Sequence, residues 1–379
     1  MVEMQQSGRR TVQVPADVER AVEESVVHHL RTELAACGLL LTADALRQAN
    51  AEAAQRGKAL LAGLITRCYG IQPQGSAAVS FQFQSEEGRA HIQAALAFGA
   101  TTAIVLAPFK DGTKQDFGRI ELLCAIFNLG IGLVDSLCDE DSGIGMILLG
   151  FLDGEKLTEC AEVPRQRGWL HSALPAALAG VAAVAFAADL IEVFFQELHT
   201  VYPGQHSLDR RRGIGAQLAA ALVAERDSVS WLPDMSERER SLQSSRLTSV
   251  LPLQIIESLA CGSITTDEKS AGTLLGEALW RVDDLVDLCQ DARGGALNSL
   301  LLRALDDAPR SEKGHDPVPA LERLLGSTDI AEAAAEAAEC LVAGLGLGDG
   351  LQPAQRGSTI PEFLYFIQSY AGVPPAAGS

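Results

Sequence analysis

The sequence predicts an all-α protein folded as one large helical bundle. Three observations predict it. Ala and Leu dominate, and apolar residues recur at helical spacing from Ala16 almost to the C-terminus. Strand signals are sparse; the best, Ala78 to Phe83 (AVSFQF), is short. Gly- and Pro-rich breaks separate the periodic segments, with no repeat of fixed period and no long linker. The expected organisation is a flexible tail at residues 1–16, a helical domain at 17–372 and a C-terminal tail at 373–379. A hydrophobic content of 47% with 21% charged residues supports a sizeable core.

In chain order, the periodicity places helices at 17–36, 42–67, 86–107, 115–138, 144–152, 168–199, 212–228, 236–261, 266–292, 295–305, 318–345 and 359–371. Polar or Gly/Pro-rich connectors fall at 70–77, 108–114, 202–207 and 306–318.

The formal net charge of -19 argues against nucleic acid and anionic membrane surfaces as partners, because both attract positive faces. The eight cysteines are scattered without a CxxC pair, which points to a reducing, cytoplasmic setting. Residues 1–20 lack an apolar signal core. The longest apolar run, Ala173 to Ala188, is short for a bilayer and reads as a core helix, so the chain is not expected to span a membrane.

The most informative stretch is Gly276 to Asp291, GEALWRVDDLVDLCQD, which has no Gly or Pro between its ends. On a helical wheel Asp283, Asp287 and Asp291 share an arc of roughly 80°. Leu279, Trp280 and Val286 flank that stripe, and Leu285 and Leu288 cover the opposite side. A helix apolar nearly all round is expected to be buried. Buried carboxylates at one-turn spacing repel unless paired or bound to metal. Oxygen ligands suit Mg²⁺. The plain alternative is a solvated acidic face.

A second cluster lies in FNLGIGLVDSLCDED, where Asn128, Gly132, Asp135 and Asp139 share a face. Acids near a helix C-terminus are electrostatically misplaced unless a cation offsets them. The alternative is a helix end running into an acidic loop. Two acid-bearing apolar helices facing each other are one way that bundles build metal sites. Neither cluster contains His, so a di-iron site is not expected.

Gly276, Asp283, Asp284, Asp287 and Asp291 resemble the second aspartate-rich motif of the polyprenyl synthase superfamily, the type I isoprenoid synthases. Trp280 stands where the usual Gln is found. Asp135-Ser-Leu-Cys-Asp139 resembles the first motif, with its second Asp replaced by Ser136. Arg246 lies where the family often has a Lys that contacts diphosphate. The resemblance spans residues 85–300 and implies the isoprenoid synthase fold, a helical bundle around a central cavity. It further implies that Asp135, Asp139, Asp283, Asp284, Asp287 and Asp291 bind Mg²⁺ and that a homodimer is possible. Asp135, Asp139, Asp283 and Asp287 are the implied catalytic set. Arg246, Lys269 and Arg293 are candidate phosphate donors. Phe127 and Trp280 are candidate aromatic walls for a carbocation. Arg281 points away from the stripe and reads better as an ion pair with another helix.

Departures from the family narrow the activity. No GGKR-like segment precedes the first motif, and no Arg or Lys follows Asp139 until Lys156. The only Arg-Arg-Gly, Arg211 to Gly213, comes too late in the chain. The pocket for a second diphosphate is therefore not recognisable. No DxDD motif is present, so protonation-initiated cyclisation is not expected. The resemblance then implies a Mg²⁺-dependent class I terpene synthase or cyclase acting on one allylic isoprenyl diphosphate. Two alternatives stay open: a prenyl chain elongator using isopentenyl diphosphate, and a non-catalytic partner of a prenyltransferase.

Overall fold

A computed structural model describes residues 12–69, 85–107, 117–228, 238–306, 317–347 and 359–376. Their α-helices are, in order, α1 (Ala16–Ala36), α2 (Ala43–Tyr69), α3 (Glu86–Leu106), α4 (Phe117–Glu140), α5 (Ser142–Phe151), α6 (Gly154–Glu162), α7 (Trp169–Ala173), α8 (Ala182–Val201), α9 (Leu208–Ser228), α10 (Arg238–Cys261), α11 (Ala271–Val286), α12 (Leu288–Gly294), α13 (Ser299–Asp306), α14 (Val318–Gly326), α15 (Asp329–Gly344) and α16 (Thr359–Tyr370). Among the described residues there is no strand, only an isolated bridge between Thr42 and Ala376. The all-α class is thus observed. The strand candidate at 78–83 lies outside the described residues.

Local chemistry sets most boundaries. Ser85 caps α3 by accepting from Gly88 N at 2.9 Å, and Asp141 caps α5 by accepting from Ile144 N at 3.1 Å. The predicted helix 168–199 is split because Leu174 precedes Pro175 and takes an extended ψ of 136°. The predicted helix 318–345 is split at Gly326–Thr328 into α14 and α15. Helix α6 was not expected. Its signal was Asp153, whose side chain accepts from Lys156 N at 2.8 Å, followed by Leu157, Cys160 and Ala161, which are buried on one face.

The core runs between α3, α4 and α10. Ala97, Ala100, Ala103, Cys124, Ala125 and Ile126 are fully buried there. Helix α4 packs on α3 and α8; α10 packs on α3, α9 and α11. Small residues permit the close approaches. A Cβ on Gly99 would lie 2.6 Å from Cys124 O, and one on Gly276 would lie 2.5 Å from Val250 Cα. The stretch Phe117–Cys138 of α4 is long and apolar enough to cross a membrane by composition, but half of that window is buried against the bundle.

Registers follow from specific contacts. Asn128 Nδ2 donates to Ala95 O at 2.9 Å, and Gly99 sits against Cys124 and Ala125, so α3 and α4 are antiparallel. Phe98 meets Phe363 and Phe366, and Thr101 Oγ1 donates to Glu362 Oε2 at 3.1 Å, so α16 is antiparallel to α3. The packed region extends past both expected domain limits. Val12 N donates to Arg293 O at 3.1 Å, Val14 is buried, and Ala376 N donates to Leu41 O at 2.9 Å.

Candidate functional site

The acidic row at the end of α11 is continuous, although the helix is not. Asp287 (φ -91°, ψ 5°) closes α11 and opens α12, which corrects the expectation of one helix over 266–292. The backbone still bridges the break. Asp287 N donates to Asp283 O at 2.9 Å, and Asp291 N to Asp287 O at 2.7 Å. One-turn spacing is therefore kept along the row.

The four acids have different surroundings. Asp283 is exposed, Asp287 and Asp291 are half-buried, and Asp284 is buried. The expected burial of the whole row fails at Asp283, which lies on the outer side near the end of its helix. Asp284 accepts from Ser299 N at 3.1 Å and from the Ser299 hydroxyl. It therefore serves the first N–H group of α13, while Asn298 Oδ1 accepts from Leu300 N and Leu301 N. Asn298 Nδ2 donates to Asp284 O at 2.7 Å and to Asp291 Oδ2 at 2.9 Å. Asp284 and Asp291 are thus turned toward the α12–α13 junction. Asp283 and Asp287 are turned toward Tyr370, whose hydroxyl donates to Asp283 Oδ1 at 2.5 Å and lies 3.4 Å from Asp287 Oδ2. The sequence reading missed Tyr370. No local pattern marks it, because its partners come from a distant helix.

Burial raises the Asp284 and Asp291 carboxyls to about 7. The Ser299 hydrogen bonds oppose the rise at Asp284, and Asn298 opposes it at Asp291. The native chain holds protons that the unfolded chain releases near its ordinary carboxylate range. This contribution to stability is present below about pH 4 and is lost as pH rises through about 7. In Asp284→Asn the fall in melting temperature between pH 5 and pH 8 should be shallower than in wild type. Identical slopes in thermal melts of the two proteins would remove Asp284 from this account.

On α4, Asp135 is exposed. One turn earlier, a Cβ on Gly132 would meet nothing within 4 Å among the described residues. This contrasts with Gly276, which is a helix-packing contact. Asp139 lies in the last turn of α4, and its side chain is outside the described residues. Asp135 is seven residues past Asn128, about two turns, and Tyr370 is one turn past Phe366. By the registers above, both steps lead toward the N-terminus of α3. Tyr370 holds Asp283, so Asp135 and Asp283 occupy the same end of the bundle.

The other predicted residues are dispersed. Arg246 pairs with Glu277 and reaches Gln243 at 3.4 Å. Arg281 bonds the same Glu277 at 3.0 Å and Glu336 of α15 at 2.9 Å. Arg293 pairs with Glu19 of α1. Lys269 precedes α11, about 20 Å along the helix axis from Asp283, and is exposed. The fold does not bring it to the acids. Phe127 is core, 5.9 Å from Phe194 between α4 and α8. Trp280 is half-buried beside Arg281, and its indole N–H is buried with no acceptor among the described residues.

Asp283 and Asp287 fit a hard cation in chemistry: both are oxygen donors, one turn apart and reachable from solvent. Among the described residues no group of three or more His, Cys, Asp or Glu side chains forms a metal cage. Mg²⁺ does not require one, since it is commonly held by one or two carboxylates together with substrate phosphates. Compared with family models, curated proteins and solved structures, the chain matches none.

Proposed function

We propose that the protein is a class I terpene synthase or cyclase. Its Asp283 and Asp287 hold Mg²⁺ together with an allylic isoprenyl diphosphate, and Asp135 and Asp139 act from α4. What supports this reading is helix register, which leads Asp135 on α4 and Asp283 on α11 toward the same end of the bundle, with both residues exposed and Asp287 half-buried beside them. Bound Mg²⁺ offsets the diphosphate charge and stabilises the leaving group. The chain's own acids fix the cation position, and the lack of a side chain at Gly132 leaves room for the substrate beside Asp135. Asp284 and Asp291 support the site through Ser299 and Asn298 and do not touch the ligand. Arg246 and Arg293 are already paired with Glu277 and Glu19, so only their remaining N–H groups are available to phosphate.

A single assay tests the reading. Purified protein with Mg²⁺ receives geranyl, farnesyl or geranylgeranyl diphosphate, with and without isopentenyl diphosphate. The expected result is hydrocarbon or alcohol product and free diphosphate in the absence of isopentenyl diphosphate. Longer diphosphates formed only when it is present would replace this reading with chain elongation. No turnover of any substrate would leave a non-catalytic partner.

A further inference from the structure

The hydroxyl of Tyr370 sits on the carboxylate pair that would hold the cation. It donates to Asp283 Oδ1 at 2.5 Å and lies 3.4 Å from Asp287 Oδ2. Two carboxylates one turn apart repel, and a shared donor offsets part of that repulsion. The backbone behind Tyr370 is tied down. Gln368 Oε1 accepts from Leu41 N at 2.9 Å, and Val373 N donates to Gln368 O at 3.0 Å. Gln368 and Val373 are both buried. The Tyr370 residue itself is 49% exposed, so its ring has room to turn about its own side-chain torsions while that strap stays in place.

A hard cation takes the same oxygen lone pairs that the phenol occupies. We propose that Tyr370 is a latch on the acid pair. Its hydroxyl closes over Asp283 and Asp287 when no cation is bound, and it swings out to donate to water when one enters. The latch therefore weakens cation binding by the worth of its hydrogen bond and links the C-terminal helix to the site. This inference rests on the cation-binding reading above.

The test is a calorimetric titration of Mg²⁺ and Mn²⁺ into the full chain without substrate. It compares wild type, Tyr370→Phe and Asp283→Asn. The ring is half exposed and the Phe variant keeps it, so packing is preserved. Tyr370→Phe should bind about tenfold tighter than wild type, the worth of one hydrogen bond to a charged group. Asp283→Asn should bind much more weakly than either. Equal or weaker binding by Tyr370→Phe, with wild type still binding, overturns the latch and leaves the cation site standing. Absence of binding by both wild type and Tyr370→Phe overturns the cation site and the latch with it.

Discussion

Asp283→Ala should lose diphosphate release by at least about a hundredfold while keeping the helical circular-dichroism spectrum of wild type. The two halves of that result come from different observations. The loss follows from the proposed cation site, where Asp283 is one of two solvent-reachable carboxylates at one-turn spacing. The retained fold follows from exposure: Asp283 lies on the surface, and the Tyr370 hydroxyl that donates to it keeps Asp287 Oδ2 as a second acceptor 3.4 Å away. Asp135→Ala should behave in the same way, because Asp135 is also exposed. Asp284→Ala should do the reverse at the level of stability. It strips acceptors from Ser299 N and the Ser299 hydroxyl at a buried helix start, at a cost of about 1–2 kcal/mol, and affects turnover only through the fold. Diphosphate release and thermal melts on the three variants separate these effects. Normal release by Asp283→Ala or Asp135→Ala would remove that residue from the site.

The contrast between Asp283 and Asp284 shows how much of the site could be read from the sequence. Helical spacing set Asp283, Asp287 and Asp291 one turn apart, and backbone hydrogen bonds keep that spacing across the break at Asp287, although the Asp291 side chain turns to Asn298 while Asp283 and Asp287 turn to Tyr370. Spacing could not say how much of the row is covered. A wheel ranks neighbours on the same helix, whereas the cover over Asp283 comes from other elements, and Asp283 stays exposed. Asp284 was legible in hindsight: it falls beside Leu285 and Leu288, on the apolar side, where a carboxylate needs a partner from its own surroundings. Tyr370, Glu19 and the pairing of Glu277 with Arg246 were not legible, since each depends on tertiary contacts between helices; only the bond of Glu277 to Arg281, four residues on, is local. The fold class and most helix positions were legible because α1 to α4 and α8 to α11 are long and carry regular apolar stripes. The short helix α6 and the splits at Pro175 and Gly326 depended on single caps and breakers that periodicity averages over.

Glu362→Ala should destabilise the protein by about 3 kcal/mol, more than any other single change considered. Glu362 is 1% exposed and accepts two bonds from Arg56, Nε at 2.9 Å and Nη2 at 3.0 Å, and a third from Thr101 at 3.1 Å. Removing it leaves a partly buried guanidinium and a buried hydroxyl without their acceptor, while the desolvation of Arg56 remains. Glu121 limits the damage, because it already lies 3.5 Å from Arg56 Nη1. Its own carboxyl is pushed up by burial and by the neighbouring Glu362, with Arg56 opposing both. Deleting Glu362 removes that repulsion, so Glu121 should take over Arg56 and ionise more easily. Glu362→Gln, which keeps the shape and one acceptor, should lose roughly half as much. Denaturant unfolding of these variants and of Arg56→Met, taken as a double-mutant cycle, measures the coupling directly. A loss below about 1 kcal/mol for Glu362→Ala would mean that the pair gains no more from its bidentate geometry than it loses to desolvation. In that case α16 is held against α2 and α3 by its apolar contacts, Phe98 with Phe363 and Phe366 among them, and by the Tyr365–Asn50 hydrogen bond.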